Sequence, residues 1–160
     1  MKIEYFDNID FNNLDDYYST EALIDSLQIE IDLNFETESI DSAEIDKLNS
    51  TLKDLKSLIP KTWDWIKADY KSGVDVKEYI SFHLDDFFED NPEEILQGTD
   101  SSLNNDQRFL QTLKVKRIGV YPTSDNYLVF DYMTNEELSN YILVVNVNKN
   151  LELEYITVES

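Results

Sequence analysis

The spacing of apolar residues changes twice along this chain of 160 residues, and it restricts the fold more than any other feature. In residues 26–36 nearly every second side chain is apolar, and the positions between are polar or acidic. This alternation predicts a half-buried antiparallel strand. Residues 3–6 and 17–23 are weaker strand candidates, separated by a polar turn rich in Asn and Asp. Together these segments predict an N-terminal hairpin or meander.

Helical start signals follow from residue 41 onward. Asp41 and Glu44 have the spacing of a capping box, and apolar residues then recur every three or four positions as far as residue 59. Pro60 suits the first turn of a second helix. Asp75 and Glu78 repeat the capping-box spacing. The same kinds of signal predict three further helices, over 75–87, over 92–98, and over about two turns from Asn104.

The last third of the sequence predicts four strands, at roughly 114–121, 126–133, 139–147 and 151–158. The third of these has the near-continuous apolar run expected of an interior strand. Residues 148–150 predict a tight turn, because their Asn residues tolerate positive φ. Short connections between the four strands predict an antiparallel meander.

Strands, then helices, then strands again predict an α+β fold, with residues 1–160 as a single domain. We expect a mostly antiparallel sheet, made of the N-terminal strands and the C-terminal four-strand meander, with about five helices packed on one face. The residues predicted to be buried in its core are Ile29, Ile31, Leu33, Leu52, Leu55, Leu143 and Val145.

The chain carries 34 Asp and Glu against 13 Lys and Arg, a formal net charge of −21. Residues 1–46 hold fourteen acids and one base, and residues 74–106 hold ten acids and one base. Because aromatic residues make up 12% of the composition, this acidity belongs to a folded body rather than to a disordered tail. Such a surface repels nucleic acid and anionic membranes and steers basic proteins toward itself. We therefore expect a basic protein partner, and neither nucleic acid nor a membrane.

The composition also argues against several kinds of chemistry. With no cysteine, the chain has no disulfide, no thiol nucleophile and no Cys-based metal site. Three glycines leave no Gly-rich phosphate loop, and no Gly-x-Ser-x-Gly elbow is present. The N-terminus lacks the apolar core of a signal peptide, and no stretch reaches the roughly eighteen apolar residues of a membrane span. We predict a cytoplasmic protein that is not an enzyme and takes no cofactor or metal.

His83 is the only histidine. Asp86, three residues on, would bring a carboxylate beside the imidazole on one face of a helix. A metal site would need further ligands from Glu89 or Asp90 at a poorly matched angle. We interpret His83 as a partly buried helix residue with a carboxylate neighbour. The alternative is an enzyme or a weak metal-binding domain that uses His83 and the acids of residues 85–94.

Asp85, Asp86, Glu89 and Asp90 are the predicted contacts for a basic partner. The first three fall within one turn of the predicted third helix, and Asp90 follows four residues after Asp86. Like charges at this density repel one another unless a cation or a partner compensates them. Trp65 is a further candidate, because an exposed Trp is an effective binding anchor. The alternative for Trp65 is cover by a loop.

Six lysines form a basic strip on the first two predicted helices: Lys47, Lys53, Lys56, Lys61, Lys67 and Lys71. In a chain of net charge −21, this strip is too small to favour nucleic-acid binding. We interpret it as balancing acidic residues within the fold or between protomers.

The C-terminal third resembles a small family of bacterial proteins. The resemblance is carried by residues 113–122, 127–132, 141–147 and 151–160, and it pairs a basic strand through Arg117 with a Phe130-Asp131-Tyr132 strand. It covers about fifty residues, and elsewhere only the order of elements agrees. The family consists of single-domain proteins catalogued as a domain of unknown function, with relatives grouped among the immunity proteins of polymorphic toxin systems. The shared motif is structural, so the resemblance implies no catalytic residue.

The resemblance and the charge together predict a non-enzymatic acidic binding protein, most concretely an immunity-type inhibitor. Its acidic face would cover the basic active-site cleft of a toxin domain, often a nuclease, by mimicking a polyanion. The plainer alternative is a housekeeping homodimer whose acidity serves solubility alone. From the residues alone, the Phe130-Asp131-Tyr132 segment also has a structural explanation, in which Asp131 lies opposite Arg117 or Lys116 across an antiparallel ladder.

Overall fold

The computed structural model describes residues 1–160 and contains six strands and four α-helices. The strands are β1 (Tyr17–Ile24), β2 (Leu27–Asn34), β3 (Lys114–Val120), β4 (Asn126–Met133), β5 (Ile142–Asn148) and β6 (Leu153–Glu159). The helices are α1 (Ser42–Ser72), α2 (Asp75–Ser81), α3 (Glu93–Leu96) and α4 (Asn105–Thr112), and one π-helical turn (Phe82–Phe87) continues α2.

The six strands form one sheet in the order β1-β2-β3-β4-β5-β6. All neighbours are antiparallel except β2 and β3, which are parallel. Parallel neighbours need a long crossover connection, and residues 35–113 supply it and contain every helix. The α+β class and the mostly antiparallel sheet are therefore confirmed, whereas four helices replace the expected five.

The missing helix results from Pro60, which lies inside α1 instead of starting a new helix. Proline has no N–H, so the Lys56 carbonyl loses its helical hydrogen bond, a defect that costs a helix about 3 kcal/mol. The apolar stripe nevertheless runs across this position, because Leu58 and Ile66 are both buried. Packing of both halves against the sheet keeps the helix continuous over 31 residues. None of the helices, α1 included, has the length and hydrophobicity needed to cross a bilayer.

The predicted strand at residues 3–6 is a tight turn. Ile3 and Phe6 exchange two backbone hydrogen bonds of 3.1 and 3.2 Å and form an isolated bridge. Tyr5 between them has a φ of 67°, which no strand residue adopts. Ile3 and Phe6 are both buried in the core. The apolar residues that suggested a strand therefore belong to a turn that packs against the core.

The two faces of the sheet differ in chemistry. On one face, apolar strand residues join the helices in a cluster of 38 buried residues. All seven predicted core residues are fully buried: Ile29, Ile31, Leu33, Leu52, Leu55, Leu143 and Val145. The opposite face, which we call the open face, carries Asp32, Arg117, Asp131 and Asn146 and exposes Glu21 and Tyr155 at its edges.

Lysines of α1 hold two hairpin turns against the helix. Lys47 and Lys61 donate to the carbonyl oxygens of Lys149 and Leu151 at 2.6 and 3.1 Å, in the turn between β5 and β6. Lys56 forms a 2.9 Å ion pair with Asp25 in the turn between β1 and β2. Part of the basic strip therefore works within the fold. The Asn residues of the β5–β6 turn were predicted to adopt positive φ. In the structure the residue with positive φ in this turn is Leu151, at 60°.

Candidate partner-binding surface

Helix α2 widens at its end into the π-helical turn Phe82–Phe87. The Phe88 N–H donates to the His83 carbonyl five residues back, at 2.8 Å. Residues five apart lie above one another in a π-helix, whereas in an α-helix they point in different directions. The rings of Phe82 and Phe87 consequently approach to 5.1 Å between centroids. The wider turn creates an aromatic pair that α-helical spacing would separate.

Tyr141 joins this pair from the segment that leads into β5. Its ring lies 4.5 Å from that of Phe82 and 6.1 Å from that of Phe87. Phe82, Tyr141 and Val158 also line an open cavity of about 210 Å³. Phe87 is 58% exposed. The result is an aromatic platform of three rings, one of which is largely exposed to solvent.

Four acids surround Phe87 in the sequence, and all four are exposed: Asp85, Asp86, Glu89 and Asp90. Asp85 accepts a 2.6 Å hydrogen bond from the Ser81 hydroxyl. None of the four takes part in any of the eight ion pairs of the protein. We call these acids together with Phe82, Phe87 and Tyr141 the acidic–aromatic surface.

The backbone of this surface differs from the prediction. Asp85 and Asp86 lie on the π-helical turn, but the helix ends at Phe87, and Glu89 and Asp90 follow it in a bend. The predicted single α-helical turn of acids is therefore wrong. In this segment His83 and Phe88 are buried, whereas Phe87 is exposed.

Trp65 lies apart from this surface. It is half-buried on α1, and the Lys61 ammonium sits 5.3 Å from its ring centroid. It packs against the main core, and no aromatic pair or hydrogen bond joins it to the acidic–aromatic surface. Lys61 belongs to the same helix as Trp65. The role of Trp65 as a partner contact stays a prediction, and so does its alternative, cover by a loop.

His83 is buried behind the aromatic platform, and its neighbours differ from the predicted ones. One ring nitrogen contacts the Tyr79 carbonyl at 2.8 Å and the other the Ser139 hydroxyl at 2.7 Å, so no carboxylate bonds to it. Burial lowers the pKa of His83, and the Tyr79 carbonyl only partly opposes this. A metal ligand or general base at this position would first have to give up one of these two hydrogen bonds.

A second polar cluster, unrelated to the predicted site, occupies the open face. Arg117 donates to both carboxylate oxygens of Asp32, at 2.5 and 2.9 Å, and to Asp131 at 3.0 Å. Burial would lower the pKa of Arg117, but its hydrogen bonds to Asp32 and Tyr121 raise it overall. Burial also raises the pKa of Asp131, against the pull of Arg117. Of the two partners predicted for Asp131, Arg117 is the one found, and Lys116 pairs with Glu136 instead. Asp32 is a member of the cluster that the sequence did not suggest.

Comparison with known proteins yields no match: no family model matches the chain, and neither does any curated protein or solved structure. The resemblance of the C-terminal third to a bacterial family therefore stays a prediction.

Proposed function

We propose that this protein is a non-enzymatic binding protein that recognises a basic protein partner through its acidic–aromatic surface. The observation that carries the proposal is Phe87, a 58% exposed aromatic ring with four exposed acids around it in the sequence, none of them ion-paired. An exposed aromatic ring packed beside two further rings and flanked by acids suits the central anchor of an interface.

The charges supply the steering component of recognition. The net charge of −21 raises the encounter rate with a cationic protein, and the unpaired acids at residues 85–90 fix where it docks. Since these acids have no internal cation, a partner does not have to break an existing ion pair to reach them. The desolvation of rim charges is partial, so most of the affinity comes from the aromatic centre.

The finer proposal is that the partner is a toxin domain with a basic active-site cleft, and that this protein inhibits it by occlusion. Its support is the resemblance predicted from residues 113–122, 127–132, 141–147 and 151–160, to a family whose relatives are grouped with immunity proteins. An acidic surface that occupies such a cleft excludes a polyanionic substrate without any chemistry of its own. The inhibition would be stoichiometric and would weaken as salt rises.

A capture experiment with matched variants tests the proposal. Wild-type protein, Phe87→Ala, the double variant Asp86→Lys/Glu89→Lys and two controls are immobilised and exposed to an extract of the natural host. The captured protein is identified, purified and assayed for a toxic activity that the wild-type chain inhibits. We expect a basic protein that both surface variants fail to hold.

The controls separate a specific surface from general acidity. Glu36→Lys/Glu38→Lys makes the same change of charge at two other exposed acids, and Tyr17→Ala removes a ring that is 51% exposed on β1. Both controls should retain the partner. If the Glu36 and Glu38 change releases it as readily as the change at residues 86 and 89, the acidity acts as a diffuse field and the proposed surface is wrong.

A further inference from the structure

The open face of the sheet contains a cavity of about 340 Å³ between β3, β4, β5 and β6. Arg117, Asp131, Asn146 and Glu159 are among the residues that line it, with Asn126 at the start of β4. Its size is within the range of pockets that hold small ligands. The cavity is separate from the acidic–aromatic surface, and nothing in the proposed function uses it.

Asn126 and Asn146, two residues that line this cavity, each have one buried side-chain amide atom without a hydrogen-bond partner. Asn126 donates to Asn146 at 2.9 Å, which leaves the Asn126 oxygen and the Asn146 nitrogen buried without a hydrogen-bond partner. Asn146 is only 3% exposed. Exchanging oxygen and nitrogen in both amides keeps the mutual bond and again leaves one donor and one acceptor unfilled, with their places exchanged. Buried polar groups of this kind are rare in folded proteins and call for a partner.

The charges around the cavity indicate the sign of the charge that a bound partner would carry. Asp131 and Glu159 line it, and Asp32 lies behind Arg117, so three carboxylates face one guanidinium. Four of the five N–H donors of Arg117 are already used, two by Asp32 and one each by Asp131 and Tyr121. The residues that line the cavity therefore have a formal charge of −1, which becomes −2 when the buried Asp32 is included, and Arg117 has little capacity left for an anion.

We propose that this cavity binds a small organic cation that carries a hydrogen-bond acceptor beside its charged group, the chemistry of a basic amino-acid amide. The cation lies against Glu159 and Asp131, its N–H groups reach the unfilled Asn126 oxygen, and its carbonyl accepts from the Asn146 nitrogen. Such a group can come from a free metabolite or from an arginine within another protein chain.

Titration of the whole protein with defined probes, followed by NMR of the backbone amides, tests this. The probes are L-argininamide, a capped peptide with one internal arginine, and the neutral N-acetyl-L-glutamine amide. We expect L-argininamide or the capped peptide to shift amides of residues that line the cavity, and the neutral amide to have no effect. Tighter binding of L-argininamide identifies a free ligand as the source, and tighter binding of the peptide identifies a residue of a partner.

Variants decide whether the cavity itself is responsible. Glu159→Gln should weaken binding about threefold to fivefold, and Glu154→Gln, on the same strand but outside the cavity, should leave it unchanged. Asn146→Leu should abolish binding. Because it also removes the acceptor of the Asn126 N–H, the urea midpoint should fall, and its value shows whether the variant still folds. Equal weakening by both Glu variants, binding of the neutral probe, or no binding at all overturns the proposal. The Glu variants keep the test decisive if Asn146→Leu does not fold.

Discussion

Among single residues, Asp86 and Glu89 test most simply whether the acids of the acidic–aromatic surface serve the fold. Both are exposed, and neither has an ion pair or a side-chain hydrogen bond. Reversing both to Lys removes like-charge repulsion, so we expect the free energy of unfolding to stay within about 0.5 kcal/mol of wild type or to increase slightly. Urea denaturation measures this. A clear loss of stability would mean that these acids support the structure and are not reserved for a partner.

Arg117 represents the opposite case, a charge that the fold requires. Replacing it with Met leaves Asp32, which is fully buried, and Asp131 without their cation. Removing one partner of such a buried pair costs about 3–5 kcal/mol. Lys116→Ala is the control, since its 3.3 Å ion pair with Glu136 is exposed and contributes at most about 1 kcal/mol. Similar losses for the two variants in urea denaturation would contradict this account of the open face.

His83 gives the protein a defined dependence on pH. Burial lowers its pKa in the folded state below the ordinary value of 6.5, so the unfolded chain takes up a proton first as pH falls. Stability should therefore decrease below about pH 6.5, by up to about 1.4 kcal/mol per pH unit. Asp131 acts in the opposite direction, because its pKa is raised by burial. Comparing urea midpoints of wild type and His83→Gln isolates the histidine, and equal pH slopes would refute its role.

At the scale of elements, β5 is an interior strand between β4 and β6, and Leu143 lies on its core face. Leu143→Ala should destabilise the protein by roughly 2–5 kcal/mol, through lost burial and the cavity left behind. Leu153→Ala on the edge strand β6, where the side chain is 36% exposed, should cost under about 1 kcal/mol. Thermal or urea unfolding of the two variants checks the difference. A loss below about 1 kcal/mol for Leu143→Ala would contradict the assignment of β5 as an interior strand.

Elements whose determinants are local were predictable from the sequence. The Asp41–Glu44 capping box forms as expected, and Asn104 caps α4 by accepting from the Gln107 N–H at 2.9 Å. The second predicted box does not form, because α2 begins one residue earlier than the box requires: Val74 is the N-cap, Asp75 lies inside the helix, and the Glu78 N–H donates to the Val74 carbonyl at 3.0 Å. Asp69 of the preceding helix accepts the Val76 N–H at 2.8 Å, a contact across the helix junction that no local pattern indicates.

The same distinction between local and long-range determinants applies to the candidate site. The exposure of its acids followed from their density in the sequence. The Phe82–Phe87 pair did not, because it depends on a π-helical turn that no simple periodicity indicates. Likewise, Asp32 meets Arg117 only because β2 and β3 are parallel neighbours brought together by a crossover of almost eighty residues, roughly half of the chain. Long-range pairing of this kind has no local signature.

For the molecule as a whole, the fold separates two kinds of acidic residue. Eight of the 34 acids, Asp25, Asp32 and Asp131 among them, are paired with cations within the structure, whereas most acids, including those at residues 85–90, are not. The acids at residues 85–90 differ from the other unpaired acids in flanking the exposed ring of Phe87 in the sequence. This coincidence, and not the net charge, distinguishes a docking surface from acidity that merely keeps a protein in solution.

The most direct test of this account is the association rate constant of the purified basic partner, measured by stopped flow from about 0.05 to about 0.5 M NaCl. We predict a steep decrease with salt for the wild type, a slower and flatter profile for Asp86→Lys/Glu89→Lys, and a wild-type profile for Glu36→Lys/Glu38→Lys. Phe87→Ala should leave the association rate nearly unchanged and accelerate dissociation. Association that does not weaken as salt rises, or that responds equally to both charge reversals, would contradict recognition through the acidic–aromatic surface.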